Sequence, residues 1–436
     1  MRGGPEPDGV TSMTREALFR RSGVEVRVLG TASFPRASSR RLLVAVLAAS
    51  IAAPSARSAD DREFNVGLRV LDFAYTHPDG RGETVTAALW YPTHAQPHSY
   101  TYAIHTRQSH TSQVAIDAPV AAEAGPYPLV LFAHGGFGCG HNSAFFTEYL
   151  ARHGYVVVAP DYVDAAPPAY ERQVAFSRIR DGTVLPPLRI LAIVGRFARD
   201  MSADRERFLA YLAEHRFRHT SFVIDRMLEL SRDAASPFPG AIREDAIGIC
   251  GHSEGGITVL GKIGPHPEAQ FRDERIKATL VFSAPAYPFQ DTMKSIAVPL
   301  MLMAGENDLP GLHPELQRRM IYDEASPPKY YLVLKDGTHF SFGNGVCGNA
   351  RLCDAVETNV QARAICRYGL AFFERYVRRE TEAARQLQTS DPAWAYYVNV
   401  DEAGEAREFG TEPPPPTGGP AGLREELRRR WGAAPK

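Results

Sequence analysis

Two runs of alternating or β-branched residues stand near the start of the hydrophobic pattern. The runs VGLRVLDFAYT and ETVTAALWYPT predict two strands, and the Pro/Asp/Gly cluster HPDGRG between them predicts a turn. A hairpin-like start is therefore expected. The next residues, 93–125, are polar and His-rich, and we expect them to be irregular.

The following apolar runs are nearly continuous and are separated by helical patterns. YPLVLFAHGG predicts a strand that runs into glycines. After it, apolar residues between Phe145 and Leu150 recur at helical spacing, Gly154 ends that helix, and YVVVAPDY predicts a second strand. Later runs of the same kind are AIGIC, ATLVFSA, PLMLMAGEND and KYYLVLKDG. This pattern predicts an α/β fold with a mostly parallel central sheet and helices on both faces.

One long connection interrupts this alternation. More than 80 residues separate Asp161 from AIGIC, which exceeds the usual connection in an α/β unit. HTSFVIDRMLELSRD predicts the helix before the next strand, and residues 165–217 predict an inserted, mainly helical cap. We therefore expect one main domain over 60–400, ending in a long amphipathic helix. Residues 401–436 are expected to form a Pro/Gly-rich linker and a charged tail.

The segment SSRRLLVAVLAASIAAPSARSADD places two arginines before an apolar run and a small-residue stretch. This layout predicts a secretory signal peptide at about residues 38–59, in a leader over 1–59, because the apolar run is shorter than the roughly 20 residues that span a bilayer. About 40 residues precede the run, which a start codon assigned too far upstream would explain. A short buried helix is the alternative. We expect an exported protein, periplasmic or secreted, without stable membrane insertion.

Composition and charge narrow the class of partner. The chain has 44% hydrophobic and 23% charged residues, as ordinary globular proteins have, and a formal net charge of -1. That balance gives no broad electrostatic footprint for nucleic acid or anionic lipid. A neutral small molecule or a polymer is the expected partner, and the oligomeric state stays open.

The cysteines do not predict a disulfide scaffold or a zinc site, because they are few and lack zinc-ribbon spacing. In an exported protein, Cys347 and Cys353 could close a small loop, with Cys366 as a competitor. Cys250 lies in an apolar run and is expected to be buried, as a small hydrophobic residue. The five cysteines are Cys139, Cys250, Cys347, Cys353 and Cys366.

A candidate nucleophile stands in AIGICGHSEGGITVLGK, residues 246–262. Ser253 occupies the centre of a G-x-S-x-G turn between a predicted strand and a predicted helix. Glycines allow the tight backbone of such a turn, which lifts the serine hydroxyl above the sheet. A hydroxyl needs a base and donors for the oxyanion before it becomes an effective nucleophile.

A candidate acid and base follow in the order expected for such a site. Asp308 lies just past one predicted strand in VPLMLMAGENDLPG, and His339 just past the next in YYLVLKDGTHFSF. The carboxyl ends of parallel strands meet at one edge of a sheet, so we expect both side chains to approach Ser253. Glu306 is the rival acid, and we prefer Asp308 because it lies farther into the loop.

The oxyanion needs two converging N–H groups. One is expected from the backbone of Glu254, the residue after the nucleophile. The other is expected from HGGFG, residues 134–138, with Gly136 as first choice and Phe137 as second. Phe137 could instead form part of a substrate pocket, and His134 is expected to hydrogen-bond the loop.

The glycine loop also resembles a dinucleotide-binding loop, with Asp161 at a suitable distance for a ribose contact. The match fails at His141, where the third glycine should stand, and it leaves Ser253 unexplained. The sequence lacks H-E-x-x-H, a Walker loop and a cysteine metal cluster. We therefore expect no cofactor and no metal.

Together these motifs resemble the α/β-hydrolase fold, and more narrowly the bacterial dienelactone-hydrolase-like and platelet-activating-factor-acetylhydrolase-like esterases, over about residues 66–380. The motifs that carry it are LWYPT, IDAPVAAEAGPYPLVLFAHGGFG, YLARHGYVVVAPDY, GHSEGG, MAGENDLPG and DGTHFSF. The resemblance implies a serine esterase without a cofactor, whose triad is Ser253, Asp308 and His339. It implies Gly136 and Glu254 as oxyanion donors.

The sequence departs from both narrower groups. The acetylhydrolases place their acid after the strand that follows the nucleophile, where this chain has VFSAPAYPF, and dienelactone hydrolases use a cysteine nucleophile. Phospholipid and dienelactone substrates are therefore not expected. The resulting hypothesis is a serine carboxylic-ester hydrolase that acts through an acyl-enzyme on small or polymeric esters. The alternatives are an amidase or thioesterase with the same triad, or a non-catalytic binding protein with the same fold.

Overall fold

The central part of the sheet is parallel, and its flanks are mostly antiparallel. In the computed structural model, the described residues form a mixed 13-stranded sheet with the order β13-β12-β11-β10-β9-β8-β5-β6-β2-β1-β4-β3-β7. The six strands from β6 to β11 in this order pair in parallel, which confirms the predicted mostly parallel central sheet. The described residues are 63–104, 109–164, 168–169, 205–286, 288–309 and 312–412.

The strands follow the predicted apolar runs closely in the central sheet. Their bounds are β1 (Asn65–Thr76), β2 (Gly82–Thr93), β3 (His98–Ile104), β4 (Ser109–Ile116), β5 (Tyr127–Ala133), β6 (Val156–Pro160), β7 (Pro168–Ala169), β8 (Ile242–His252), β9 (Ile276–Phe282), β10 (Leu300–Asn307), β11 (Lys329–Thr338), β12 (Trp394–Val400) and β13 (Ala406–Gly410). The predicted hairpin is confirmed, since β1 pairs antiparallel with β2 from Thr76 opposite Gly82 onward.

The helices cover both faces of the sheet. In the described residues they are α1 (Ala144–Arg152), α2 (Arg205–Leu212), α3 (Arg218–Arg232), α4 (Glu254–Gly261), α5 (Pro314–Gln317), α6 (Ala355–Thr358), α7 (Val360–Phe373) and α8 (Ala384–Leu387). A π-helical turn, Ala213–Phe217, joins α2 to α3. The two faces form separate hydrophobic cores, one beneath α2, α3 and α4 and the other beneath α1 and α7.

Strand β5 shows why two cores form. Leu129 and Leu131 pack into the core beneath α3, whereas Val130 and Phe132 pack into the core beneath α7. Successive side chains of a strand point to opposite faces, so a continuous apolar run must be covered twice. This is the physical reason that nearly unbroken apolar runs predict a sheet between two helical layers.

The expectation of irregular structure over residues 93–125 is wrong, because β3 and β4 lie there and pair antiparallel. Two large side chains of β3 are buried, those of Tyr100 and Tyr102. Tyr100 and Tyr102 point inward, and the indole N–H of Trp90 donates to the Tyr102 hydroxyl at 2.8 Å. The alternation of tyrosines is a strand signal that the polar residues between them obscure.

The predicted boundary at residue 400 falls inside the sheet. Strand β12 turns at Asp401 and returns as β13, whose last paired residue is Gly410. The Asp401 carboxylate accepts the backbone N–H groups of Ala403 and Glu405, each at 3.0 Å, and so fixes the turn. The rest of the predicted tail, from residue 413, lies outside the described residues.

Several other predictions concern residues that are only partly described. The leader with its signal peptide lies outside the described residues, and so does most of the predicted cap. The end of that cap segment, from residue 205, is helical and continues into α3 without a break at residue 217. Within the described part of the chain, no helix is both long enough and apolar enough to span a bilayer.

The described thiols are buried and free. They belong to Cys139, Cys250, Cys347 and Cys366. Cys347, for which the sequence leaves open a bridge to Cys353 or Cys366, is free here, and Cys250 is buried as expected. The side chain of Cys353 lies outside the described residues.

Candidate active site

Ser253 occupies a sharp turn between β8 and α4. Its backbone has φ 56° and ψ −120°, a left-handed conformation that a non-glycine residue adopts only under constraint. Its N–H donates to the carbonyl of Phe282 at 3.0 Å, which ties the turn to the neighbouring strand β9. The residue remains partly accessible, so its hydroxyl faces the solvent side of the sheet edge.

The glycines of this turn permit close backbone contacts. A Cβ on Gly255 would collide with the carbonyl oxygen of Ala133 on β5, and a Cβ on Gly251 would collide with the backbone of Gly255. Helix α4 therefore begins directly against the end of β5. This packing explains why G-x-S-x-G, rather than any small-residue turn, stands at this position.

Ser253, His339 and Asp308 form a hydrogen-bonded chain, as the sequence predicts. The Nε2 atom of His339 lies 3.1 Å from Ser253 Oγ, and its Nδ1 lies 3.0 Å from Asp308 Oδ1. With the ring proton on Nδ1 and directed to the carboxylate, the lone pair of Nε2 faces the serine hydroxyl. Both the His339 and Asp308 side chains are almost completely buried.

Ser283 is a member of this arrangement that the sequence reasoning missed. It directly follows β9 with φ 43°, and its hydroxyl donates to Asp308 Oδ2 while lying 2.9 Å from His339 Nδ1. Burial alone would raise the pKa of Asp308, but the hydrogen bonds from His339 and Ser283 outweigh it and lower that pKa. The available signal was VFSAPAYPF, since a serine occupies the strand end where the acetylhydrolases place their acid.

The rival acid has a different partner. Glu306 Oε2 accepts the backbone N–H of Asp336 at 2.8 Å, so its carboxylate binds the last residues of β11, just before His339. Asp308 is the carboxylate that the structure brings to the imidazole.

His252 packs against His339 and binds its backbone. Its Nε2 lies 2.9 Å from the carbonyl of His339, and the two ring centroids are 4.7 Å apart. Burial, with a smaller contribution from His339, lowers the pKa of His252 to about 3. His252 is therefore neutral and donates its Nε2 proton to that carbonyl, which positions the His339 backbone.

The predicted donor loop lies beside the elbow. Gly136 is exposed, and a Cβ placed on it would collide with Glu254 Oε2, so the loop backbone passes against the first residue of α4. The N–H of Phe137, the second-choice donor, is instead bonded to Asp164 Oδ2 at 3.1 Å. The structure thus places Gly136 beside Glu254, whereas the Phe137 N–H donates to Asp164.

His134 holds the start of the loop, as expected. Its Nδ1 lies 2.7 Å from the carbonyl of Gly135, and its Nε2 accepts the N–H of Tyr162 at 3.0 Å. Burial first, and then the charge of Arg216, lower the pKa of His134 to about 4. The neutral ring with its proton on Nδ1 satisfies both contacts.

The loop rests on a buried cation that the sequence reasoning also missed. Arg216, in the π-helical turn, is completely buried and donates to the carbonyl of His134 at 2.9 Å and to both Asp164 oxygens at 2.9 and 2.7 Å. Its Nε lies 3.1 Å from Glu254 Oε1, and its guanidinium stacks 4.5 Å from the ring centroid of Tyr162. Part of the predicted cap segment therefore reaches beneath the donor loop.

The two carboxyl groups around Arg216 differ in charge. Burial alone would raise the pKa of Asp164, but the Arg216 charge outweighs it and lowers that pKa. Burial dominates at Glu254 and, with the neighbouring Asp164 charge, raises its pKa to about 8 against the opposing effect of Arg216. The surroundings therefore favour the ionised form of Asp164 and the neutral form of Glu254.

Apolar side chains surround this region on the solvent side. Phe340, next to His339, is 69% exposed, and Leu309, next to Asp308, is 46% exposed. Val163, which precedes Asp164, is 38% exposed. Large apolar residues that stay exposed beside a polar site are typical of a surface that receives an apolar ligand.

Two features bear on cofactors. The Asp161 carboxylate accepts the N–H of Gly140 at 2.7 Å, so it stabilises the glycine loop rather than projecting toward a nucleotide site. Among the residues that the structure describes, one group of side chains has the arrangement of a metal site, and it lies in the β1–β2 hairpin and α3: His77, Glu83 and His219.

Comparisons with known proteins match different parts of this chain. A chlorophyllase family model matches residues 93–179, a stretch that includes the donor loop and ends before Ser253. A chlorophyllase type 0 from Chenopodium album is 30% identical to this chain over 86 residues. The aligned stretch covers 20% of this chain and 25% of that relative, so the chain spans about a quarter of the relative's length. A solved ferulic acid esterase from Streptomyces cinnamoneus has a TM-score of 0.51 and 18% identity, over 79% of this chain and 96% of that one. The chain has the α/β-hydrolase fold.

The broad resemblance derived from the motifs is thereby confirmed at the level of the fold. The narrower resemblance to dienelactone hydrolases and platelet-activating-factor acetylhydrolases stays a prediction. In an α/β-hydrolase fold, the elbow serine, the later acid and the last histidine stand at strand ends on one edge of the sheet. Ser253, Asp308 and His339 occupy those positions.

Replacing Arg216 by methionine should destabilise the fold, because it leaves the Asp164 carboxylate buried without its cation. Loss of one partner from a buried ion pair costs about 3–5 kcal/mol, and we expect that decrease in the free energy of unfolding in urea. Adding Asp164→Asn removes the lone charge and should restore part of the loss. The control Arg232→Ala breaks an exposed pair with Glu244 and should leave the midpoint near that of the wild type. Equal midpoints for Arg216→Met and this control would contradict the assignment.

Proposed function

We propose that the protein is a serine carboxylic-ester hydrolase that works through an acyl-enzyme intermediate. The observation that carries the proposal is the chain from Ser253 Oγ through His339 to Asp308, with donor–acceptor distances of 3.1 and 3.0 Å, at a strained elbow. A hydroxyl, an imidazole and a carboxylate in this order supply a nucleophile, a base and a group that orients the base.

The first half of the reaction transfers the acyl group to the enzyme. Ser253 Oγ attacks the carbonyl carbon of the ester as Nε2 of His339 takes the hydroxyl proton. The oxyanion that forms accepts hydrogen bonds from the N–H groups of Gly136 and Glu254. When the tetrahedral intermediate collapses, the bond to the alcohol oxygen breaks, and His339 donates the proton to that oxygen.

The second half releases the acid. His339 removes a proton from a water molecule, and the resulting hydroxide attacks the acyl carbon of the ester to Ser253. Collapse of this intermediate breaks the bond to Ser253 Oγ, which regains its proton from His339. Throughout, Asp308 keeps the Nδ1 proton of His339 in place and stabilises the imidazolium.

The substrate class follows from the surface beside the site. The exposed side chains of Phe340, Leu309 and Val163 favour an ester with an aromatic or large apolar part. The near-zero net charge agrees with a neutral substrate. The similar solved structure is called a ferulic acid esterase, a name that denotes an ester of an aromatic acid and supports the same class.

Ser253→Ala tests the reaction itself. Because the acyl-enzyme cannot form, kcat for short p-nitrophenyl esters should fall by about 10⁴-fold or more, and a fluorophosphonate probe should no longer label the protein. Asp308→Asn should reduce kcat by about 10⁴-fold, since an amide favours the wrong imidazole tautomer. The exposed Ser295→Ala is the control and should retain activity and labelling. Undiminished hydrolysis by Ser253→Ala would refute the proposal.

Glu254→Gln tests the charge beside the oxyanion. The Glu254 carboxyl is neutral below about pH 8, and its ionisation above that pH puts a negative charge beside Gly136, where the oxyanion forms. The wild-type kcat/KM should therefore fall as the pH rises through about 8. The raised pKa also means that its contribution to stability, present in full below about pH 4.5, is lost progressively as the pH rises to about 8.

In Glu254→Gln the side chain stays neutral, so kcat/KM should resemble the wild-type value at pH 7 and lose the alkaline decrease. Glu148→Gln is the matched control, because burial also raises the pKa of Glu148, to about 7, on helix α1. That variant should keep the alkaline decrease. An unchanged alkaline decrease in Glu254→Gln would show that another group causes it.

Phe340→Ser tests the substrate class. Partial burial of a phenyl ring against the substrate contributes on the order of 1–2 kcal/mol, so kcat/KM for p-nitrophenyl benzoate should fall about tenfold. The acetate ester is too small to cover the ring and serves as the internal control, with kcat/KM expected to change little. Equal effects on both esters would mean that Phe340 supports His339 rather than the substrate.

A further inference from the structure

Three metal-ligating side chains from two elements converge at the side of the sheet. Nε2 of His77 lies 2.7 Å from Glu83 Oε2, and Nε2 of His219 lies 3.6 Å from the same oxygen. One donor atom from each residue lies within 4.8 Å of the others. We infer that His77, Glu83 and His219 form a binding site for a divalent transition-metal ion of the zinc class.

The fold brings these residues together from distant parts of the sequence. His77 begins the turn of the β1–β2 hairpin and Glu83 lies on β2, where it pairs with Tyr75 across the hairpin. His219 lies in the first turn of α3, which packs over this hairpin. Both histidines are buried, and the Glu83 carboxylate is 16% exposed, so a small ion can approach from solvent through Glu83 alone.

The donor set fits zinc better than calcium or magnesium. Two imidazole nitrogens and one carboxylate oxygen are the ligands of many zinc sites, whereas calcium and magnesium prefer oxygen alone. Tetrahedral ligands at zinc lie about 3.3 Å apart, given Zn–N and Zn–O distances near 2.0–2.1 Å. The spacings of 2.7 and 3.6 Å around Glu83 Oε2 bracket that value.

A fourth position is available beside these three. His215 lies four residues before His219 in the helical run, and its ring centroid is 6.4 Å from that of His77. His215 is therefore a neighbour of the three ligands rather than one of them. A water molecule would complete the tetrahedron.

The two histidines of this site lie in a packed, largely buried environment. The ring of Tyr75 packs against His77 and His219 with centroid distances of 4.8 and 4.7 Å. Arg81 Nη2 lies 3.5 Å from Nδ1 of His77, at the outer limit of a hydrogen bond. When Nε2 of His77 binds the ion, the ring proton moves to Nδ1, so this arginine contact must lengthen and Arg81 retains Glu214.

The ion would therefore tie α3 to the hairpin. It stands outside the hydrogen-bonded chain from Ser253 to Asp308, and the hydrolytic steps do not use it. Metal binding should be independent of the nucleophile. It should also raise the stability of the fold, because the ligands come from elements that separate on unfolding.

The test is metal binding by the full-length chain without a histidine tag, after removal of metal with EDTA. We expect one equivalent of Zn²⁺ by calorimetry and elemental analysis, a Tm that rises with Zn²⁺ concentration, and tetrahedral absorption bands with Co²⁺. Glu83→Gln and His219→Gln should each weaken binding by more than the roughly 10–100-fold caused by loss of a hydrogen-bond partner of a ligand.

Two controls separate this site from other effects. His94→Gln alters an exposed His–Glu pair with Glu123 and should bind Zn²⁺ as the wild type does. Ser253→Ala should also bind normally, so failure of the proposed hydrolase function would leave this result unaffected. Wild-type binding that equals that of Glu83→Gln and His219→Gln, or no binding at one equivalent, would overturn the inference.

Discussion

The candidate active site depends on one buried cation, the guanidinium of Arg216. It contacts the His134 carbonyl, the Asp164 carboxylate and the Glu254 carboxyl, which belong to three different segments of the chain. A buried guanidinium that loses such partners incurs a desolvation penalty of several kcal/mol. The donor loop, the end of β6 and the first turn of α4 therefore cannot separate without that penalty. The loop backbone is held in one position relative to Ser253.

One cation between two carboxyl groups also determines the local charge. If both carboxyls were ionised, the buried cluster would carry a net negative charge beside the loop that we propose as an oxyanion donor. Burial favours the neutral form of Glu254, and the bidentate contact keeps Asp164 ionised. The shift at Glu254 reduces the net negative charge of the cluster, next to the loop that we propose as an oxyanion donor.

The sequence predicts the parts of this site that follow from strand ends. Ser253, Asp308 and His339 come after apolar runs that form parallel strands of one sheet, and such strands bring their carboxyl ends to one edge. Arg216 could not be found this way, because an arginine in a predicted cap reads as solvent-exposed, and only tertiary packing buries it. Ser283 follows an apolar run too, but a hydroxyl at a strand end has many ordinary uses in turns.

The helical run from α2 through the π-helical turn to α3 contacts two regions, the β1–β2 hairpin and the donor loop. His215 and His219 lie near His77 of the hairpin, whereas Arg216 lies beneath the donor loop. Thr220, one turn after Arg216, donates to the Arg216 carbonyl at 2.7 Å and bonds the Tyr162 hydroxyl, which fixes the Arg216 side of the run. A π-helical turn changes the rotation of the residues that follow it, so it sets the angle between these two sides. The same helical run therefore contacts both the hairpin and the donor loop.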